Sequence, residues 1–371
     1  MPLSTSLKIK LKTLLVLIIG WQFIALVIIA YNHMFIMSVE GYDLISNLIA
    51  TVVAVLIAGV TAGPILVFVL KDRFKRYPLG LALIVYAVTI VILIAFVTVI
   101  ATFFYNTINM ELPFYHPEVV KDVGRFLLED YGLWLNVMTW LIIATLTILV
   151  MQVNDKYGQK VFMNMLLGKY HQPKQEERIF MFLDIKGSTT IAEKIGSINY
   201  FKLLSKFFED ISSPIIESLG EIYQYVGDEI VVSWPVTRGI ANANCLHAFF
   251  DIVKTLETKS GEYVSRFGLA PSFKAGMHVG EVTVGEVGTI KKEIIFSGDV
   301  LNTTSRIQEQ CNKLKVTLLV SSELLELLPI QDQYTIQPLG QIELRGKMKP
   351  VTLCAVREVP VKEKPELVMT G

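Results

Sequence analysis

Two acidic stretches in the second half of the chain carry the residue types that metal-dependent phosphate chemistry needs. In the first, RIFMFLDIKGST, Asp184 directly follows an apolar run at 179–183; in the second, YQYVGDEIVV, Asp228 follows Gly227. Carboxylates bind Mg²⁺, which neutralises phosphate charge and activates an oxygen nucleophile. If the two segments lie in neighbouring strands, the carboxylates converge at one end of a sheet.

Local patterns predict the elements around these carboxylates. The apolar run at 179–183 predicts a buried strand, and a helical pattern begins near Ile191. Backbone N–H groups at a helix start bind phosphate. The residues at this predicted helix start are Gly187, Ser188 and Thr189. Segments 222–226 and 230–234 are rich in β-formers, and the Gly-Asp pair between them predicts a hairpin with Asp228 at its tip.

Later segments of this half alternate between helical and strand-like patterns. We predict helices at 200–219, interrupted by Pro214, and at 242–257, then strands at 273–279 and 294–296. The glycines of the run HVGEVTVGEVG predict turns and close backbone packing rather than ligand contact. These glycines are Gly280, Gly285 and Gly288.

A helix predicted in SGDVLNTTSRIQEQC places Asn302 and Arg306 one turn apart on one face. An amide and a guanidinium can together hold a ribose and a phosphate oxygen, and the planar donor fork of Arg suits developing phosphoryl charge. Alone, the pair is weak support, because most helical arginines are solvated or ion-paired. Lys347, in ELRGKMKP, is either another phosphate contact or a solvated loop lysine.

The first half of the chain contains four long uncharged apolar runs, each of the ~20 residues needed to cross a bilayer. They lie at 13–31, 48–70, 78–105 and 133–153. The lack of ionisable residues within them disfavours a transporter, and the lack of a buried His disfavours a haem carrier. The runs predict a membrane anchor, with a sensing role left open.

Basic residues near the predicted spans indicate their orientation. Lys and Arg are concentrated before the first span, between the second and third, and after the fourth, whereas the loop at 32–47 has none. The positive-inside rule therefore predicts a multi-pass protein of the cell inner (plasma) membrane with both termini and the second half in the cytosol. A polar linker at 154–177 has a short helical stripe from Val161 to Leu166.

Composition excludes several other classes. The net charge is +0, so no basic surplus indicates a nucleic-acid partner. The 3 cysteines are scattered without C-x-x-C spacing, which argues against a disulfide framework or a zinc site.

Residues 178–358 resemble the catalytic domain of the class III adenylate/guanylate cyclase family. FLDIKGST resembles its first metal motif, YVGDEIVV its second and SGDVLNTTSR its transition-state motif, in the same order and spacing. The layout is similar to that of a bacterial membrane-anchored cyclase. The resemblance implies a four-helix transmembrane domain at 1–153, the linker, an α+β, ferredoxin-like catalytic domain at 178–358 and a tail at 359–371.

The resemblance also implies roles for the acidic residues. Asp184 and Asp228, assisted by the backbone carbonyl of Ile185, would bind two Mg²⁺, which Mn²⁺ can replace. The ribose 3′-oxygen of ATP would attack the α-phosphate in line, giving 3′,5′-cyclic AMP and pyrophosphate.

By the same resemblance, Asn302 would orient the ribose, Arg306 would stabilise charge on the α-phosphate, and Lys347 would contact phosphate. The family builds its site between two domains, with metals on one and the Asn/Arg pair on the other. Because one chain carries both sets, a head-to-tail homodimer is implied.

Purine selection departs from the family pattern. The adenylyl form commonly has Lys and Asp where this chain has Gln224 and Ile295, and the guanylyl form has Glu and Cys. Gln224 can both donate to and accept from a base edge, whereas Ile295 offers only shape. We expect ATP, because Gln224 lacks the carboxylate that takes guanine's N–H donors; guanylate or dual-specificity cyclase activity is the alternative.

Two further alternatives remain. GDEIVV partly resembles the diguanylate cyclase signature, but it lacks the doubled Gly and the Phe. A non-catalytic receptor with a cyclase-like dimerisation domain is disfavoured because every metal and Asn/Arg position is filled.

Overall fold

The computed structural model describes residues 5–36, 43–70, 79–129, 131–157, 168–289, 292–329, 333–344 and 350–359. Its contacts divide the chain into two compact units, Met1–Lys156 and Tyr157–Gly371. The predicted linker helix near Val161 and the phosphate candidate Lys347 lie outside the described residues.

The described part of the first unit is built from helices, most of which are long and apolar. They are α1 (Thr5–Ile36), α2 (Leu44–Pro64), α3 (Leu79–Met110), α4 (Pro117–Leu128) and α5 (Tyr131–Tyr157), with a π-helical segment, Ile65–Leu70, continuing α2. Four segments are long and apolar enough to cross a membrane: Lys10–Met34, Leu44–Phe68, Ala87–Met110 and Leu133–Met151. The prediction of four such helices is therefore confirmed.

Two features of this unit differ from the predicted pattern. Helix α3 continues to Met110, so Asn106 lies in the helix and not beyond the third span, whose predicted end was residue 105. The segment between α3 and α5 contains the amphipathic helix α4, which His116 caps by accepting from Glu118 N at 3.4 Å. The sequence pattern did not predict α4, because this helix has no continuous apolar run. Its apolar residues form a single stripe that includes the buried Val119 and Val123.

The second unit contains one eight-stranded mixed sheet. Its strands are β1 (Lys174–Ile185), β2 (Glu221–Val226), β3 (Glu229–Pro235), β4 (Phe273–Val287), β5 (Glu293–Ser297), β6 (Leu318–Ser321), β7 (Tyr334–Ile342) and β8 (Val351–Glu358). The order is β2-β3-β1-β4-β6-β8-β7, with β5 paired to β4. β1 is antiparallel to both of its neighbours, whereas β4 and β6 are parallel.

Helices cover both faces of the sheet at β1, which confirms the α+β prediction. They are α6 (Ser188–Ile195), α7 (Ser197–Glu217), α8 (Val236–Ile240), α9 (Asn244–Thr258), α10 (Ser260–Phe267), α11 (Asp299–Leu314) and α12 (Ser322–Leu327). Met181 packs with Phe207 of α7 and Phe249 of α9. The next residue, Phe182, packs on the opposite face with Val300 of α11. Successive strand side chains point to opposite faces, so β1 is apolar on both faces from Ile179 to Leu183.

The predicted helix start at Gly187, Ser188 and Thr189 is confirmed, because α6 begins at Ser188 and Gly187, at φ +66°, precedes it. Two other predictions in this unit were wrong. Helix α7 continues past Pro214 to Glu217, since that proline lies in its last turn. Strand β4 includes Gly280 and Gly285, so these are not turns. A Cβ at Gly280 would lie 3.2 Å from Val300, which agrees with the close packing predicted there.

Candidate active site

The candidate metal-binding carboxylates meet at one end of the sheet. In the β1–β3 pair, Asp184 lies opposite Glu229, the residue after Asp228. Gly227, at φ +63°, and Asp228 form the turn between β2 and β3. Burial, followed by the hydrogen bond and charge repulsion from Asp228, raises the pKa of Asp184. The sheet register therefore brings the two carboxylates to the same end of the sheet, where they are candidates for binding a common cation.

Two buried side chains that the sequence did not identify hold Asp184 in place. Lys274 Nζ lies 3.2 Å from Asp184 Oδ2, and Gln308 Nε2 donates to the same oxygen at 3.1 Å. Lys274 lies opposite Asp184 in the β1–β4 pair, so the register of the sheet brings them together. The sequence offered one signal for each residue: Lys274 is a lysine at the start of a predicted apolar strand, and Gln308 is a glutamine on the buried face of a predicted helix.

Glu229 adds a further acid to this end of the sheet. Burial, then the charges of Asp184 and Asp228, raise the pKa of Glu229 to about 7, although Lys274 acts in the opposite direction. The site thus concentrates negative charge that a cation would stabilise.

The donor set fits magnesium. Mg²⁺ typically binds through one or two carboxylates together with substrate phosphates and waters, which Asp184 and Asp228 can complete. Ile185, the next residue, offers its backbone carbonyl at the end of β1. In the described part of the chain, no group of three or more His, Cys, Asp or Glu side chains forms a cage that would hold a metal alone. The site therefore suits a metal that arrives with a phosphate ligand.

The start of α6 lies directly beyond these carboxylates. Gly187 ends the turn after β1, and Ser188 and Thr189 are the first residues of the helix, whose N–H groups suit a phosphate. Burial and then the charge of Asp228 raise the pKa of Tyr200 in α7, whereas Ser188 acts in the opposite direction. The Tyr200 hydroxyl is buried and makes no hydrogen bond of ordinary geometry within the described residues.

Asn302 and Arg306 lie on a different face of α11 from Gln308. Asn302 is exposed and Arg306 half-buried, whereas Gln308 is buried. Positions 306 and 308 project about 200° apart on a helix. Because Gln308 faces Asp184 of its own chain, Arg306 points away from it. Neither Asn302 nor Arg306 forms a side-chain hydrogen bond or ion pair within the described ranges, so the structure does not join this pair to the carboxylates of the same chain.

The two purine candidates lie on strands linked by an aromatic contact. Gln224 is exposed on β2 beside a bulge, and Ile295 is half-buried on β5 opposite Gly285. The rings of Tyr223 and Phe296, their sequence neighbours, are in contact with centroids 4.6 Å apart and planes tilted by 53°, and Phe296 N donates to the Tyr223 hydroxyl at 3.2 Å. The strands that carry Gln224 and Ile295 therefore adjoin within one chain.

Comparison with known proteins gives a consistent family. A profile described as "Adenylate and Guanylate cyclase catalytic domain" matches residues 170–356. "Adenylate cyclase 2" of Rhizobium meliloti (strain 1021) is 34% identical over 214 residues, which cover 57% of this chain and 59% of that protein. "Adenylate cyclase" of Anabaena cylindrica is 24% identical over 184 residues, covering 48% of this chain and 36% of that protein.

The fold agrees with a solved structure. A bacterial light-regulated adenylyl cyclase superposes with a TM-score of 0.52 at 19% sequence identity, covering 62% of this chain and 67% of the other. At that identity the likeness concerns the fold alone. The profile match covers half of the chain, including the strand ends and helix described above. On this basis the chain belongs to the family of adenylate and guanylate cyclase catalytic domains.

Proposed function

We propose that this protein is a membrane-anchored nucleotidyl cyclase that converts ATP to 3′,5′-cyclic AMP and pyrophosphate. The main support is the convergence of Asp184 and Asp228 beside the start of α6. Both relatives described above are named adenylate cyclases, which favours ATP.

In this mechanism, Asp184 and Asp228, with the Ile185 carbonyl, would hold two Mg²⁺. When bound, these ions neutralise phosphate charge and lower the pKa of the ribose 3′-hydroxyl. Lys274 and Gln308 fix the orientation of Asp184. The N–H groups of Gly187, Ser188 and Thr189 bind the phosphates.

The second half of the site orients and stabilises the reacting groups. Asn302 holds the ribose so that its 3′-oxygen lies in line with the bond to the departing pyrophosphate. Arg306 donates to the α-phosphate oxygens as their charge increases. The 3′-oxygen forms a bond to the α-phosphorus while the bond from that phosphorus to the oxygen that bridges it to the β-phosphate breaks. The proton of the 3′-hydroxyl passes through water to the departing pyrophosphate.

The two halves come from different chains of a homodimer. Gln308 binds Asp184 within one chain, and Arg306 projects to the other side of α11, so it serves the carboxylates of a partner. A head-to-tail arrangement then gives two equivalent sites.

The four long apolar helices of the first unit support a membrane anchor, because each is long and apolar enough to cross a bilayer. The distribution of Lys and Arg favours a cytosolic catalytic unit in the inner membrane, where ATP and Mg²⁺ are available.

A guanylate or dual-specificity cyclase is the second candidate function, because Gln224 and Ile295 match neither the adenylyl nor the guanylyl form of the family.

One experiment distinguishes the two candidate functions. The full-length protein is supplied separately with ATP and GTP, each with Mg²⁺ or Mn²⁺, and the products are identified. We expect cyclic AMP from ATP, lost in Asp184→Asn and retained in the matched control Asp251→Asn, which lies exposed on α9. Nucleotide binding without turnover would support the non-catalytic receptor, and a cyclic dinucleotide from GTP would support the diguanylate cyclase.

A further inference from the structure

The first unit contains a cavity of about 750 Å³ lined by residues of α1 to α5. Protein interiors are close-packed and contain few voids larger than a water molecule. Small-molecule pockets commonly measure ~300–1,000 Å³. A space of this size is therefore in the range of a ligand site, and most of its lining is apolar, including Ala58, Ala101 and Trp140.

Polar side chains are gathered at one end of the cavity. Asn47 lies near the start of α2, Asn106 near the end of α3 and Asn136 near the start of α5, and all three line it. Asn136 Oδ1 accepts from Thr98 Oγ1 at 3.3 Å, and Asn47 Oδ1 accepts from Thr51 Oγ1 at 3.4 Å. The cavity is thus an apolar chamber with a hydrogen-bonding end.

Asn106 lacks the partner that its neighbours have. It is 4% exposed, lines the cavity and makes no side-chain hydrogen bond to any described residue. It lies four residues before the end of the apolar segment Ala87–Met110, at the polar end of the cavity. An amide can both donate and accept hydrogen bonds. The Asn106 side chain is therefore available to an occupant with a hydrogen-bonding group.

Helix α4 sets the charge at this end. The helix contributes Asp122 and Arg125 to the lining, and its C-cap residue contributes Glu129. Arg125 is exposed and forms no ion pair within the described residues, although both acids lie within a turn of it. Two carboxylates against one guanidinium disfavour a phosphate or carboxylate head group, which would meet net negative charge. A neutral head group with hydroxyl or carbonyl oxygens suits the amides and the guanidinium.

We propose that this cavity binds a single-chain amphiphile with an uncharged, hydrogen-bonding head group. The apolar chain lies beside Ala58, Ala101 and Trp140, and the head group meets Asn106. The site is independent of cyclase chemistry, because every residue that forms it belongs to the first unit.

A monoacylglycerol with a dibrominated stearoyl chain tests the proposal, because bromine quenches nearby tryptophan fluorescence. The full-length protein is reconstituted in phosphatidylcholine vesicles and titrated with this probe. Trp21 and Trp140 line the cavity, so we expect saturable quenching above a linear background from the exposed Trp134. Free dibromostearate, which carries a carboxylate, should require more probe for half-saturation.

Two variants and one control assign the signal to the cavity. Ala101→Leu fills the chamber and should raise the half-saturating probe fraction about tenfold. Asn106→Ala keeps the space but removes the amide, and should raise that fraction about fivefold. Ala87→Leu makes the same change on α3 at an exposed position outside the cavity and should behave as the wild type.

Thermal unfolding gives a second readout if a variant folds poorly. The probe should raise the Tm of the wild type by mass action, and raise that of Asn106→Ala less. Linear quenching unchanged by Ala101→Leu would show that the probe acts only as bulk lipid and would overturn the proposal. Disulfide-linked dimers formed by the Ala101→Cys variant would show that a second copy of the chain packs against the cavity. That result would also overturn the proposal.

Discussion

Gln308 Nε2 of helix α11 donates to Asp184 Oδ2 of strand β1 at 3.1 Å. This contact fixes one carboxylate of the candidate metal pair to the helix that also carries Asn302 and Arg306. Because Gln308 and Arg306 project about 200° apart, the same contact directs Arg306 away from its own chain's carboxylates. One hydrogen bond therefore accounts for the orientation of both halves of the proposed site.

Replacing Gln308 should weaken the metal site without removing a metal ligand. Loss of a residue that orients a metal-binding carboxylate typically costs about 10–100-fold in metal affinity or activity. In Gln308→Ala we expect the Mg²⁺ concentration for half-maximal activity to rise about tenfold. Gln337→Ala is the matched control, since Gln337 is exposed on β7, the edge strand of the sheet farthest from β2. Equal Mg²⁺ dependence in the two variants would refute this role of Gln308.

Gly276 controls how closely α11 approaches β4. A Cβ at this position would lie 2.4 Å from Gln308 N and 2.8 Å from Gln308 Cα, so the helix backbone must move. We expect Gly276→Ala to destabilise the second unit by about 2 kcal/mol and to reduce activity, because α11 positions Gln308 and Arg306. Gly261→Ala is the control; no heavy atom lies within 4 Å of its Cβ. Similar urea midpoints for the two variants would show that the close approach is unimportant.

The residues at the purine positions should control selectivity. Gln224→Glu with Ile295→Cys introduces the pair that the guanylyl form carries, including a carboxylate for guanine's N–H donors. We expect the ratio of kcat/KM for ATP to that for GTP to fall by about tenfold or more. The measurement compares both nucleotides under the same conditions. An unchanged ratio in a folded, active double variant would mean that other residues recognise the base.

A buried ion-pair cluster around Asp210 should stabilise the second unit at neutral pH. The Asp210 side chain is 2% exposed and accepts from Lys206 Nζ and Tyr263 Oη, each at 2.9 Å, and from Lys259. Burial alone would raise the pKa of Asp210, but hydrogen bonds from Lys259, Lys206 and Tyr263 outweigh it and lower the pKa. Asp210→Asn should therefore cost about 3 kcal/mol of unfolding free energy at pH 7.

The pH dependence of that loss follows from the lowered pKa. A depressed carboxyl pKa contributes stability that is complete above the unfolded value of about 3.9 and is lost as the pH falls through the folded value. The difference between wild type and Asp210→Asn should thus stay constant from about pH 5 to 8 and narrow below about pH 4. Urea unfolding of the full chain in detergent, monitored by pulse proteolysis, measures it. A difference that grows on acidification would contradict the assigned charge state.

Local patterns were sufficient to place the candidate carboxylates. An apolar run before Asp184 and a Gly-Asp pair between two β-rich segments predict a strand end and a hairpin tip, and the structure has both. Lys274, Gln308 and Glu229 could not be found this way. Their relation to Asp184 depends on β1 lying between β3 and β4 in one register, which pairs residues distant in sequence.

Helix ends in the first unit were also difficult to predict. The pattern ended the third span at Tyr105, where the strongly apolar residues stop, but the polar residues that follow contain no helix breaker and α3 continues to Met110. This difference moves Asn106 from a solvated loop to a buried position. The cavity could not be predicted, since it depends on the packing of several helices. The roles of Asn302, Arg306, Gln224, Ile295 and Lys347 stay predictions.

The central claim is that each active site combines Asp184 and Asp228 of one chain with Asn302 and Arg306 of another. Complementation tests it most directly: Asp228→Ala and Arg306→Ala chains with different affinity tags are produced together, and mixed dimers are purified through both tags. Each variant alone should be inactive. The mixed dimer should regain about half of the wild-type turnover, because one of its two sites is intact. Purified mixed dimers without activity would contradict the shared site.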